Sequence, residues 1–442
     1  MTLLMRRNQT CENRKLWVPL RDFRQFRLIV SSDADASKIA IRADYLPDWE
    51  ISMKFAFFMM PLHTPNENPS LAFERDIDMI NYAEKLGFDE YFIGEHHSAA
   101  WENMPTPELV LAKASATATR IRLGTGVVSL PFHHPFHVAE RFAFLDHLTR
   151  GRTVLGVGPS GLPTDPQRFK IPPKDLNAMM RESTDIIVKL LESPDPISYD
   201  GKYWTIDKMA LQLRSYQQPR LKLATPSAGS KRSLDFVAQY EMMMFSIAGS
   251  GPPDSVPLAR QWDEVVDASA KYGTSPNKDD WRVVTYIHLA DTREEAFEQA
   301  RHGAVRDVHN YFYTINTPRS WLIRPDQNPA DLTFEEIVGK RRWIIGTPDD
   351  AIEQIEEIVE ETGGIGGLML TTHEWMPMRH VMYSQELFAR YVMPRFRGHT
   401  ADLEREWERT KQDRSQGRIP NITGPNDGTL DDGKKSNTFV KV

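Results

Sequence analysis

The sequence predicts an α/β fold, a (β/α)8 barrel with insertions, and three observations carry that prediction. Eight short apolar segments recur along the chain, each followed by a stretch with helical periodicity. Most of the apolar segments are continuous rather than alternating, the pattern of parallel strands covered on both faces. The 442 residues are 40% hydrophobic, enough for one large core, and a single barrel can use most of such a chain. A doubly wound open sheet is the alternative with the same alternation.

The predicted strands are KFAFFMM (54–60), EYFIGEH (90–96), IRLGTGVVSL (121–130) and TVLGVGP (153–159), then LKLAT (221–225), MMMFSI (242–247), RVVTYIHLA (282–290) and GGLMLTT (366–372). Between the first two, Ser70 is a candidate cap for a helix with Phe73, Ile77, Ile80 and Ala83 on one face and Gly87 as its stop. Further helical stretches are PELVLAKASATATR, FHVAERFAFLDHL, LNAMMRESTDIIVKLL, SLDFVAQY and ARQWDEVVDASAKY. The last is PDDAIEQIEEIVEE, which GGIGG ends. Two segments interrupt the alternation: 193–220, which reads as a hairpin, and 303–345, before the last unit. Long excursions from a barrel tend to be lids or substrate-binding segments.

Residues 1–52 lack clean periodicity and are read as an N-terminal extension before a barrel domain spanning 53–397, for which Met53 is a natural start. Residues 398–442 are read as a C-terminal helix and a tail, with the Gly-, Asn- and Asp-rich stretch 413–442 expected to be disordered. The formal charge of −7 argues against general binding to nucleic acid or to anionic membranes. Cys11 is the only cysteine, which excludes an intramolecular disulfide and any multi-thiolate metal site. No apolar run is long enough for a transmembrane helix, and the N-terminus lacks the apolar core of a secretory signal. A soluble, cytoplasmic protein is expected.

In a barrel of this kind, chemistry sits at the C-terminal ends of the strands. Glu95, His96 and His97 end the second predicted strand. They fit a metal site, a catalytic base with its orienting partner, or a polar strand end without chemistry. A metal hydrolase needs three or four convergent ligands from different strands. The first strand offers no His-x-His and the sixth and eighth end without an obvious aspartate, so no metal is assigned. His133, His134 and His137 form a second cluster just past the third strand, where a loop role competes with a catalytic one. GTGVV and GVGPSG lack the spacing and context of a dinucleotide-binding turn.

Five stretches in order resemble one family: MKFAFFMMP, EKLGFDEYFIGEHHS, RIRLGTGVVSLPFHHP, LDHLTRGRTVLGVGPSGLPTD and ATPSAGSKRSLDFVA. They look like the bacterial luciferase-like, flavin-dependent monooxygenases across residues 53–395. EHHSA with GTGVVSLPFHHP resembles the limonene-type members in particular. The resemblance implies a barrel that binds reduced FMN at the strand C-termini, where oxygen adds to give a flavin C4a-hydroperoxide that oxygenates a small apolar substrate such as a terpene or an aldehyde. Such chemistry needs a pocket that excludes water and one group able to give or take a proton.

By position in the motifs, His96 matches the family's catalytic histidine, and an imidazole can exchange a proton near neutral pH. Its neighbours Glu95 and His97 are expected to support it. Gly126 and Val127 match the point where the family places a non-proline cis peptide beneath the flavin ring, and Gly158 a position facing the ring where a luciferase carries a reactive cysteine. Ser230 and Ser233 at a helix start, with Arg181, match the phosphate contacts. Pro159 stands where luciferases carry another phosphate arginine, and Lys231 or Arg232 are candidates to compensate. Trp101, Asn103, Met104, Phe132, Trp375 and Met376 are candidate pocket walls, each equally readable as core. The implied partners are O2, a separate flavin reductase and a small apolar substrate, and a homodimer is the family's common assembly. The competing functions are a deazaflavin-dependent oxidoreductase of the same superfamily, a flavin-binding barrel without turnover, and a metal-dependent barrel hydrolase.

Overall fold

In the computed structural model of the chain, the described residues are 53–249, 254–312, 314–315 and 331–419. The N-terminal extension, residues 1–52, and residues 420–442 of the expected tail lie outside them. The strands are β1 (Lys54–Met59), β2 (Glu90–Ile93), β3 (Arg122–Thr125), β4 (Val128–Ser129), β5 (Thr153–Gly158), β6 (Ile197–Asp200), β7 (Thr205–Met209), β8 (Lys222–Ser227), β9 (Met243–Ile247), β10 (Trp281–Leu289), β11 (Ile344–Gly346) and β12 (Gly367–Thr371). Eight of them pair in parallel in the order β12-β1-β2-β3-β5-β8-β9-β10, and β10 pairs back to β12. The sheet therefore closes. The closed barrel excludes the open doubly wound alternative.

Strand periodicity of two explains where the core lies. Ala56, Phe92, Val154, Ala224, Met243, Phe245 and Met369 form one buried cluster inside the barrel. Their strand neighbours, among them Phe55, Phe57 and Tyr91, pack against the surrounding helices. Gly124 makes room for this interior: a Cβ there would fall 2.5 Å from the Phe92 ring. Near the N-terminal ends of the strands the inward residues are charged. Arg282 on β10 grips Glu90 on β2 with two bonds, of 2.8 and 2.9 Å, and both side chains are buried.

The helices used below are α1 (Pro69–Leu86), α2 (Pro107–Ala114), α3 (Pro135–Leu148), α4 (Thr164–Phe169), α5 (Leu176–Glu192), α6 (Lys231–Tyr240), α7 (Leu258–Ser269) and α8 (Arg293–Arg306). Helix α1 is capped by Asn68 rather than Ser70, whose own N–H donates to the Asn68 side chain at 3.0 Å. Pro69 at the first helical position has no N–H to cap and a φ already suited to a helix, which moves the start two residues earlier. Gly87 does end α1, at φ +88°. Helix α2 stops at Ala114, short of the predicted stretch to 120, where the Ser115 and Thr117 hydroxyls turn back onto Ala112 and Ala114 carbonyls. The C-terminal helix runs Ala401–Ser415, so residues 413–415 of the expected tail are helical.

The 193–220 insertion is the predicted hairpin, β6 antiparallel to β7. The second excursion begins as α8 widens into a π-helical turn, Asp307–Phe312. It ends with a helix, Phe334–Arg341, and with β11, which adds to β10 outside the closed ring.

Candidate active site

Strand β2 ends at Ile93, so Glu95, His96 and His97 lie on the loop beyond it rather than on the strand as predicted. The loop sits at the C-terminal mouth of the barrel and is anchored there: the His96 N–H donates to the Met104 carbonyl at 3.1 Å. The His96 ring is flanked by two buried carboxylates. Nδ1 lies 2.9 Å from Oδ2 of Asp165 on α4, and Nε2 lies 3.4 Å from Oε2 of Glu102.

Asp165 is fixed from several sides. Besides the imidazole, its Oδ1 accepts from the His97 N–H at 3.0 Å and from the Ser98 hydroxyl. Burial pushes this carboxyl up, but the bonds from His96 and Ser98 outweigh it and hold the pKa below the ordinary carboxylate value. For His96, burial lowers the pKa while Glu102 and Asp165 raise it, and the net direction is upward. Glu102 is in turn held by the Tyr311 hydroxyl, which donates to its Oε1. Tyr311 comes from the π-helical turn and packs its ring on Trp101, with centroids 5.6 Å apart.

The side chains of Glu95 and His97 bond each other, and Glu95 also bonds His133, rather than the His96 ring. Oε1 of Glu95 accepts from Nε2 of His97 at 2.9 Å and from Nε2 of His133 at 3.0 Å. Burial raises the Glu95 pKa, the two imidazoles lower it, and the net direction is down. His97 serves His96 only through the backbone N–H it gives to Asp165. The three groups lie close enough together to surround an ion. Each imidazole already directs its Nε2 at the carboxylate, so the arrangement reads as a closed hydrogen-bonded triad that braces the β2 and β3 loops. His134 caps α3 through the Phe136 N–H, and His137 pairs with Glu140 on the same helix, so neither faces this triad.

Beside the loop, the Gly126–Val127 peptide bond is cis. The Thr125 hydroxyl donates to the Gly156 carbonyl and accepts from the Gly156 N–H, each at 3.0 Å, which ties β3 to β5 at this level. Gly158 faces the same turn: a Cβ on it would lie 2.5 Å from the Val127 side chain. Across the mouth, Ser230 caps α6, accepting from the Ser233 N–H at 3.2 Å. The Ser233 hydroxyl is also 2.8 Å from that of Ser227. Arg181 on α5 donates to the Arg232 carbonyl at 2.6 Å and lies over the Phe236 ring, 4.8 Å from its centroid. Ser230, Ser233 and Arg181 are thus gathered at one helix N-terminus. Lys231 points instead to Glu264, at 3.7 Å.

The candidate pocket residues divide. Trp101 packs on Tyr311, Met104 is buried under the His96 loop, and Phe132 stacks on Phe169 at 4.5 Å. Trp375 and Met376 belong to the cluster beneath α8, so core is the reading that holds for Met376. The Trp375 indole donates to Asp307 at 3.0 Å, beside a bond between His373 and Asp307 at 3.1 Å.

The family profile described as luciferase-like monooxygenase matches residues 53–365. The chain belongs to that family. The match spans the barrel just described. This luciferase-like monooxygenase is 37% identical to 4-hydroxyprotoasukamycin monooxygenase of Streptomyces nodosus subsp. asukaensis, over 78% of its own length and 93% of the relative's. It is 33% identical to limonene 1,2-monooxygenase of Rhodococcus erythropolis, over 80% and 90%. Among solved structures it resembles the oxygenating constituent of 3,6-diketocamphane monooxygenase, a type II Baeyer–Villiger enzyme of Pseudomonas putida in complex with FMN. There the TM-score is 0.66 and the identity 25%, covering 78% of this chain and 98% of the other. No helix among the described residues of this monooxygenase is long and apolar enough to cross a membrane.

Glu102, Asp165 and Tyr311 were not singled out from the sequence of this luciferase-like monooxygenase. Asp165 closes the fourth family stretch and Glu102 follows EHHSAAW, so both lay inside or next to recognised motifs. Tyr311 had only its place in the 303–345 excursion as a signal.

Proposed function

We propose that the chain is the oxygenating component of a two-component monooxygenase that receives reduced FMN from a separate reductase and oxygenates a small apolar molecule of terpene or aldehyde type. Bound reduced FMN would supply the two electrons and the site at which O2 is activated. The residues present suit such a group. Gly126 and Gly158 add no side chain of their own at the barrel mouth, and the Val127 side chain packs into the space beside Gly158, where a Cβ would meet it at 2.5 Å. Ser230, Ser233 and the first backbone N–H groups of α6 present donors and a helix dipole to a phosphate, and Arg181 adds a fixed charge beside them. The Gly158 position excludes thiol chemistry there.

The observation that carries the reading is His96, largely buried at the mouth with its Nδ1 held by Asp165. Such an imidazole is oriented, and the Glu102 and Asp165 carboxylates raise its pKa against burial, so it can hold a proton at Nε2 for a reacting oxygen or take one back. Trp101, Met104 and Tyr311 wall it from water, which a reactive oxygenating site requires. The two-component arrangement is supported by the Pseudomonas putida relative, described as an oxygenating constituent. Limonene and the diketocamphanes, named in relatives, are small and apolar and guide the substrate class.

Anaerobic titration with reduced FMN, followed by mixing with oxygenated buffer and limonene or a bicyclic ketone, tests the reading. Saturable binding and an oxygenated product are expected. Failure to bind reduced FMN, with activity appearing on addition of zinc, would overturn it.

A further inference from the structure

The His96 site contains a second layer that the reaction as described leaves unused. Glu102 is 2% exposed, and its Oε2 has no hydrogen-bond donor among the described residues, yet it lies 3.4 Å from Nε2 of His96. Its other oxygen is occupied by the Tyr311 hydroxyl. A buried carboxylate with one oxygen pinned and the other left open toward an imidazole is costly unless a positive charge stands opposite. Asp165, on the far side, is committed to Nδ1, to Ser98 and to the His97 N–H.

We propose that Glu102 and Asp165 are positioning residues that together keep His96 as the imidazolium, with Tyr311 as the strut that aims Glu102. This proposal rests on the catalytic reading of His96. In it, both ring nitrogens carry protons, the one on Nδ1 hydrogen-bonded to Asp165 and the one on Nε2 only near the Glu102 carboxylate. The Nε2 proton is the mobile one, because the 3.4 Å separation from Glu102 is longer than the 2.9 Å bond at Nδ1. When the N–H bond at Nε2 breaks toward a reacting oxygen, Asp165 keeps the Nδ1 proton and the neutral tautomer is fixed. The opposed Glu102 charge then favours return of a proton to Nε2 before the next turnover.

The charged groups facing His96 come from three places: Asp165 on α4, Glu102 on the loop before α2, and Glu95 on its own loop. Glu95 is bonded through Oε1 to His97 and His133, which leaves Glu102, 3.4 Å from Nε2, as the carboxylate set against the ring. Tyr311 makes the device depend on the excursion after β10. The turn Asp307–Phe312 both covers Trp101 and sets the direction of the Glu102 carboxylate.

The test uses the full-length chain and histidine-labelled nitrogen-15 NMR, with the His96 signal assigned by its loss in His96→Asn. Glu102→Gln keeps shape and removes charge. The His96 imidazolium should persist to a lower pH in Glu102→Gln than in the wild type, and Tyr311→Phe should move it in the same direction by less. Asp165→Asn should also disturb the tautomer at Nδ1. The alkaline limb of kcat/KM should move to lower pH with Glu102→Gln, whereas a packing role would lower activity at all pH values alike. An unchanged His96 titration in both Glu102→Gln and Tyr311→Phe overturns the proposal. The NMR readout needs neither flavin nor oxygen. If His96→Asn turns over normally while the titration still shifts, the catalytic reading fails and the charge-holding arrangement stands.

Discussion

The two ends of the barrel handle buried charge in opposite ways. Near the N-terminal ends of the strands, Arg282 and Glu90 meet in a two-bonded pair, and Arg122 approaches the same carboxylate at 3.5 Å. At the C-terminal mouth, the Oε2 atoms of Glu95 and Glu102, Asn103 Oδ1, Ser160 Oγ and His373 Nε2 are buried without a hydrogen-bond partner among the described residues. A closed pair costs desolvation once and then holds the strands in register, whereas a cluster of open atoms at a barrel mouth leaves polar groups for a bound molecule to meet. The first end holds the fold together. The second is built to receive a molecule.

The largest expected effect breaks the open end. His96→Ala should lower oxygenation by roughly 10²- to 10⁴-fold, the usual worth of one general acid–base group, while reduced FMN still binds. Stopped-flow product analysis beside a binding titration measures both, and wild-type turnover would reject the role of His96. Breaking the closed end should instead cost stability. Arg282→Met leaves Glu90 buried beside only a distant arginine, and a loss of about 3–5 kcal/mol is expected in denaturant unfolding. The activity of molecules still folded should change little.

A third test contrasts two buried histidines. His288 on β10 has no carboxylate among the groups that shift it: burial pushes its pKa down to about 4, against a bond to Gln299 and with repulsion from His380. Its folded pKa lies below the unfolded 6.5, so the unfolded chain binds a proton first as the pH falls. Stability from this group is present above pH 6.5 and is lost between there and about 4, by roughly 3 kcal/mol. His288→Gln should flatten that acid loss in unfolding measurements. His96 has the opposite sign. Its raised pKa gives stability that is present below 6.5 and lost as pH rises through the folded value. The smallest effect is at the phosphate cradle. Arg181→Met removes a charged donor and should weaken reduced-FMN binding roughly ten- to a hundredfold with little change in the unfolding midpoint.

Much of this molecule was readable before its coordinates. Six of the eight barrel strands fall within a residue or two of where continuous apolar runs placed them, because burial on both faces leaves an unmistakable composition, while β2 and β3 stop three and five residues short of their predicted ends. The hairpin and the Gly87 stop were equally plain. Errors arose where local chemistry competed, as when Pro69 moved the α1 cap from Ser70 to Asn68. At the site, the motif carried His96 but not the direction of the side chains next to it. Glu95 and His97 are adjacent in sequence and were expected to serve it, yet they turn toward His133.

The sequence by itself determined the barrel, the family and the loop that carries the histidine, since each depends on a local run of residue types. Only the tertiary structure decided what charge surrounds His96. Asp165 lies 69 residues away and Tyr311 touches Glu102 across 209, separations at which no periodicity or spacing rule links two side chains. Their meeting is a consequence of ring closure, which brings the ends of eight distant strands to one mouth.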